Sequence, residues 1–186
     1  MDKGQLIRKT EQYVRDNVPT SRKPDVEYFN HVFGAQKFAL LLAKEYNADN
    51  FVVEMAILLH DIGANAGPIH AEKSAEMAIV YLSSLGIDSK TQSEIVECIK
   101  RHSMGSKVET LEQQIIQDAD GLVFITDSYK YFFEKGIPKY GSVNDNVDFC
   151  INKTEGMTEK IRTKKGKELK NKLLPEAVKW LEGKRV

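Results

Sequence analysis

Cysteine is almost missing from this chain: Cys98 and Cys150 are the only two, and they form no CxxC pair. That excludes a disulfide framework and makes a reduced, cytoplasmic setting the expected one. Long apolar runs are missing as well. The longest, FALLLA at 38–43, falls far short of the ~20 residues that span a bilayer. The opening MDKGQLIRKTEQ lacks the apolar stretch of a secretory signal, so no membrane partner is expected. Net charge is zero, with 27 basic against 27 acidic residues. It is unevenly spread, however: residues 151–186 hold 11 Lys and Arg against 5 Asp and Glu. Such a tail could touch nucleic acid or an anionic substrate. Leu169, Leu173, Ala177 and Leu181 recur every fourth residue within it, so its charge is read as the solvated side of a packed helix. Nucleic acid is therefore not the expected partner.

Helical signals fill the chain, and no segment reads convincingly as a strand. The spacing predicts a first helix over Gln5–Asn17, broken by VPTSRKPD. Asp25 is the expected N-cap of a long helix through VEYFNHVFGAQKFALLLAKEYN. Asp49 or Asn50 should cap the helix that ends at LLHDIG, with GANAGP as a loop. Residues 70–85 form the next helix, stopped by Gly86. Asp88 or Ser89 opens another, MGSKVET is a loop, and 111–135 is long enough for one further helix. GIPKYGSVNDN reads as irregular, and two last helices fall within 146–165 and 167–183. The fold class is thus all-α, a bundle of about seven helices. At 186 residues the chain is expected to be a single domain.

Ionisable residues stand at odd places in this pattern. The stretch LHDIG sets His60 and Asp61 side by side where the apolar run FVVEMAILL gives out. Two such groups are costly to bury unpaired. A helix-end salt bridge, a cap and a shared metal ion are the alternatives. Only two more histidines fall at helix ends, His70 and His102; the fourth, His31, lies mid-helix among Phe29, Val32, Phe33 and Phe38. Taken alone, His31 is more often a satisfied core residue than a ligand. Asp118 and Asp120 sit in the apolar run IIQDADGLVFI. Residues two apart on a helix point about 200° apart, so one should face a cleft and the other a second partner. Buried carboxylates want a cation.

His31, then His60-Asp61, then Asp120 resembles the metal signature of the HD-domain phosphohydrolase superfamily. FNHVFGAQKFALLLA, AILLHDIG, HAEKSAEMA, IKRHS and LEQQIIQDADGL resemble its successive blocks, in the same order. The similarity is greatest to the small stand-alone bacterial and archaeal members. It implies one HD domain over 1–186, with a ligand-bearing core at about 25–130 and a C-terminal helical extension at about 143–186. It also implies His31, His60, Asp61 and Asp120 as metal ligands. Asp118 would then be a supporting residue, orienting His102 or capping a loop amide. One departure is Gly121, where related sequences often carry arginine.

Mixed imidazole and carboxylate donors suit Mn, Fe, Co, Ni or Zn. One ion is favoured over two, with Asp61, His70 and His102 as catalytic groups and Lys73 and Arg101 as phosphate contacts. His70 and His102 would otherwise be ligands of a second ion. The implied substrate is a nucleotide or similar small phosphate ester, hydrolysed by a metal-activated water. Two other functions compete: a regulatory HD module without turnover, and a diiron oxygenase on the same scaffold. A homo-oligomer is left open.

Overall fold

Helix boundaries follow the capping chemistry. The computed structural model describes residues 1–22 and 25–186, with the backbone alone at 22, 25 and 137–140. Its helices are α1 (Lys3–Asp16), α2 (Asp25–Tyr46), α3 (Asn50–Leu59), α4 (His70–Ser84), α5 (Ser89–Lys100), α6 (Leu111–Val123), α7 (Tyr129–Tyr140), α8 (Val143–Met157) and α9 (Lys164–Glu182). No strand occurs among the described residues. The Asp49 carboxylate accepts from the Phe51 and Val52 amides, and Asp88 accepts from Thr91. Reciprocal capping boxes start α1 (Asp2 with Gln5) and α6 (Thr110 with Gln113). The expected break at VPTSRKPD falls between α1 and α2, with a short 3-10 turn at Thr20–Arg22, while Lys23, Pro24 and the Asp25 side chain expected to cap α2 lie outside the described residues.

Packing follows from which helices are apolar. Eight of the ten residues of α3 are buried, and a helix apolar on every side has to run through the core. It packs against α1, α2, α5 and α6. Small residues on α2 (Ala35, Ala39 and Ala43) are fully buried and let its neighbours come close. A second, smaller apolar cluster joins Phe124, Tyr129, Phe133, Val147, Cys150, Ala177 and Leu181. Ala177 and Leu181 of α9 are buried while Lys164, Lys167, Lys172 and Lys179 are exposed, so the basic tail is the outer face of a packed helix. Among the described residues, no helix is long and apolar enough to cross a membrane.

One stretch differs from the sequence reading. GIPKYGSVNDN is mostly helical: α7 runs on to Tyr140, and only Gly141 and Ser142 interrupt it before α8. Gly141 ends α7 at φ +77°, and Ser142 caps α8 through the Asp145 amide. Tertiary anchoring starts α8 early, because buried Asn146 donates to the Phe133 carbonyl at 2.7 Å. A π turn, Phe124–Ser128, joins α6 to α7 without a break.

Candidate metal centre

Five elements deliver six donor side chains to one place. His60 follows the last residue of α3, and Asp61 comes next. The turn then packs directly on α4: the Gly63 amide donates to Ser74 Oγ at 2.9 Å. A Cβ at Gly63 would lie 2.5 Å from the Ser74 nitrogen and 2.8 Å from the Lys73 carbonyl carbon. Only glycine permits that approach, which sets Asp61 beside His70, the first residue of α4. His102 follows the end of α5, His31 lies mid-α2, and Asp120 lies in α6. The π turn carries Ser128 to within 3.1 Å of His31 Nδ1; such bulges often mark functional sites.

The donors form two groups. In the first, His31 Nε2 lies 3.1 Å from His60 Nε2 and 3.3 Å from Asp120 Oδ1, and His60 Nε2 lies 3.9 Å from that oxygen. In the second, His70 Nε2 lies 3.0 Å from His102 Nε2, and each is 3.7 Å from Asp61 Oδ1. Asp61 Oδ2 turns the other way, to 3.7 Å from His31 Nε2. Asp61 thus stands between the groups, one oxygen toward each.

Backbone carbonyls fix the tautomers. Nδ1 of His60, His70 and His102 lies 2.7, 2.9 and 2.7 Å from the carbonyl oxygens of Ile57, Gly67 and Ile99. A carbonyl only accepts, so each Nδ1 carries the proton and, in a neutral ring, Nε2 presents its lone pair inward. Burial pushes His102 down to about 3, and neighbouring His60 adds to that, so its ring is neutral. With both rings in that neutral form, two lone-pair nitrogens 3.0 Å apart repel unless a cation lies between them. Donors bonded at about 2.1 Å to one ion stand about 3.0 Å apart when set at a right angle. The donor set therefore fits divalent metal, and both triads could hold an ion.

The remaining expected residues divide. Asp118, fully buried, accepts from Gln114 Nε2, from the Arg162 and Thr163 amides and from Thr163 Oγ1. Its partners tie α6 to the start of α9, and His102 is not among them. Lys73 is exposed and pairs with Glu76 at 2.9 Å. Arg101 pairs with Glu97 and Glu109 and donates to the Lys107 carbonyl. Neither lines the cavity beside the metal donors. Sequence reasoning missed Lys160, a buried ammonium that pairs with Asp120 Oδ2. Burial opposes ionisation of Asp120, but Lys160 and then His31 outweigh it and hold the carboxyl well below the usual range.

A cavity of about 180 Å³ opens over the donors. His31, Asp61, His70 and Asp120 line it, together with Tyr28, Phe124, Tyr131, Phe132, Lys153 and Met157. Lys153 Nζ sits 4.7 Å from the centre of the Phe132 ring, within cation–π range.

The HD domain family model matches residues 28–124, just over half of the chain. The chain belongs to the HD-domain family. No curated protein matches the sequence. Among solved structures, Bacillus subtilis YpgQ in complex with ADP has a TM-score of 0.77 at 20% identity, over 98% of this chain and 95% of that one. An HD-superfamily hydrolase from Bacillus thuringiensis gives 0.73 at 19%, over 98% and 96%. A predicted HD superfamily hydrolase from an uncultured Thermotogales bacterium gives 0.66 at 22%, also over 98% and 96%. At these identities the likeness is one of fold. Within that HD fold, Gly121 has a local reason: a Cβ there would lie 2.9 Å from Ile161 Cγ1 and 3.0 Å from the Met157 carbonyl oxygen. The chain after α8 presses onto α6 at this point.

Proposed function

We propose that this HD-domain protein is a divalent-metal-dependent phosphohydrolase acting on a nucleotide or related small phosphate ester. One observation carries the reading: Asp61 stands between two donor triads, and His31, Asp61, His70 and Asp120 from them line a cavity that also has aromatic side chains. His31, His60 and Asp120 would hold one ion and His70 with His102 a second, Asp61 serving both. The two-triad arrangement supports two ions over the single ion favoured from sequence. A bound divalent ion supplies Lewis acidity and a water acidified toward neutral pH. The chain's own residues do the rest. Asp61 orients what lies between the triads, the backbone-anchored imidazoles keep their lone pairs inward, and Lys153 takes the phosphate contact. Phe124, Tyr131 and Phe132 offer flat faces to a base. The ADP complex of YpgQ, a fold neighbour, is consistent with a nucleotide.

The test is metal analysis of the purified chain beside a panel of nucleoside mono-, di- and triphosphates with Mn, Co, Ni and Mg. Metal uptake with phosphate or pyrophosphate release is expected; uptake with no turnover on any phosphate ester would point to the regulatory module. Two triads with the Asp61 carboxylate between them also suit a diiron oxygenase, for which iron-loaded protein would consume dioxygen instead.

A further inference from the structure

Asp120 divides its two oxygens between unlike partners. Oδ1 faces His31 Nε2 at 3.3 Å and His60 Nε2 at 3.9 Å. Oδ2 is taken by the Lys160 ammonium, which is 3% exposed and also donates to the His102 carbonyl at 3.4 Å. Lys160 has little freedom to leave. The Ile161 amide bonds the Thr158 carbonyl, and the next two amides, Arg162 and Thr163, are held by Asp118. Ile161 lies over Gly121, where any side chain would push this turn outward. A lysine forty residues beyond its partner is thereby built into the floor of the metal site.

A carboxylate with both oxygens free can chelate one ion through both. An oxygen that accepts from a fixed ammonium is a weaker donor and is held toward that ammonium, so such a carboxylate offers an ion chiefly its other oxygen. We propose that Lys160 is a positioning residue that keeps Asp120 a one-oxygen ligand, leaving a coordination place at the His31–His60–Asp120 position open to water or a phosphate oxygen. This rests on the metal reading above. Gly121 is part of the same device, because its missing side chain admits the turn that carries Lys160.

The test uses full-length protein loaded with Co(II), read by its visible absorption per bound cobalt and by the spectral response to inorganic phosphate. In wild type, phosphate shifts the spectrum. In Lys160→Met the cobalt is retained and Asp120 closes onto it with both oxygens. Absorption per cobalt then falls severalfold as the coordination number rises, and the phosphate shift is lost. Lys160→Arg, which keeps the charge, behaves as wild type. A Lys160→Met spectrum and phosphate response equal to wild type would overturn the proposal, as would folded Lys160→Met that takes up no cobalt. Should Lys160→Met not fold, the infrared difference between metal-loaded and metal-free wild type decides. Widely separated Asp120 carboxylate stretches, absent from Asp120→Asn, are expected, and closely spaced ones would refute one-oxygen binding. If wild type binds no cobalt, the metal reading and this proposal fall together; if it binds and the variant is unchanged, only this proposal falls.

Discussion

His70 Nε2 and His102 Nε2 stand 3.0 Å apart, although the other nitrogen of each ring is bonded to a backbone carbonyl. Each ring is aimed by its own helix end: His70 by the turn before α4, His102 by the last turn of α5. That geometry favours the proposed role of both as ligands of a second ion over contacts to substrate. His70→Ala and His102→Ala should each lower bound metal from two ions per chain to one, measured by elemental analysis after reconstitution. Unchanged metal with lost turnover would move both histidines to the substrate.

Asp118 and Asp120, two residues apart, should separate stability from metal binding. On the proposed ligand set, Asp120→Asn removes a donor and should abolish metal uptake at the first triad. Asp118→Asn keeps that triad but weakens four bonds to a buried carboxylate, two of them from amides that open the path to α9. A loss of about 1–3 kcal/mol is expected for such a group, seen as a lower melting temperature with metal content retained. The reverse pattern in the two variants would show that the wrong carboxylate is assigned to the ion.

Much of this arrangement is legible in the sequence for physical reasons. A histidine–aspartate pair closing an apolar helix has few inexpensive explanations, and the 200° offset between Asp118 and Asp120 already demands two different partners. Cap chemistry at Asp49 and Asp88 marks helix starts that the structure shares. Lys160 is not legible, because it belongs to a tail whose other lysines are mostly at the surface. Nothing in the local pattern distinguishes a lysine that folds inward onto Asp120, forty residues away. The cavity walls are hidden for a similar reason: Phe124, Tyr131 and Phe132 have the spacing of ordinary core residues. The early start of α8 depends on the Asn146–Phe133 bond, a contact between helices that no local signal contains.

Gly63 should tolerate no side chain. Gly63→Ala would press a methyl against the backbone of α4 at Ser74 and Lys73, and backbone cannot rotate away as a side chain can. Overpacking of this kind costs about 1–3 kcal/mol. Because the same contact sets the spacing between Asp61 and His70, the variant should also lose metal from the second triad before the first. Full stability with both ions bound would show that the turn can shift without cost.

Away from the metal centre, Glu54 should make stability depend on pH. Gln36 Nε2 donates to Glu54 at 2.9 Å and to Glu11 at 3.1 Å, so one amide serves two carboxylates. Burial raises the Glu54 pKa, the Gln36 bond lowers it, and Glu11 raises it again, with a net shift upward. The unfolded chain titrates this group near the ordinary glutamate value of about 4.3. Between that value and the raised folded one, the native state holds a proton that the unfolded state has lost. The protonated group's contribution is therefore present at low pH and disappears as pH rises through the folded pKa. At pH 7 Glu54 is ionised against its surroundings and destabilises the fold. Glu54→Gln removes that charge while its amide oxygen still accepts from Gln36. The variant should melt above wild type at pH 7, with the difference shrinking as pH falls toward 4. Thermal melts of both proteins across that range are the check, and a gap that stays constant or grows on acidification would refute the assignment.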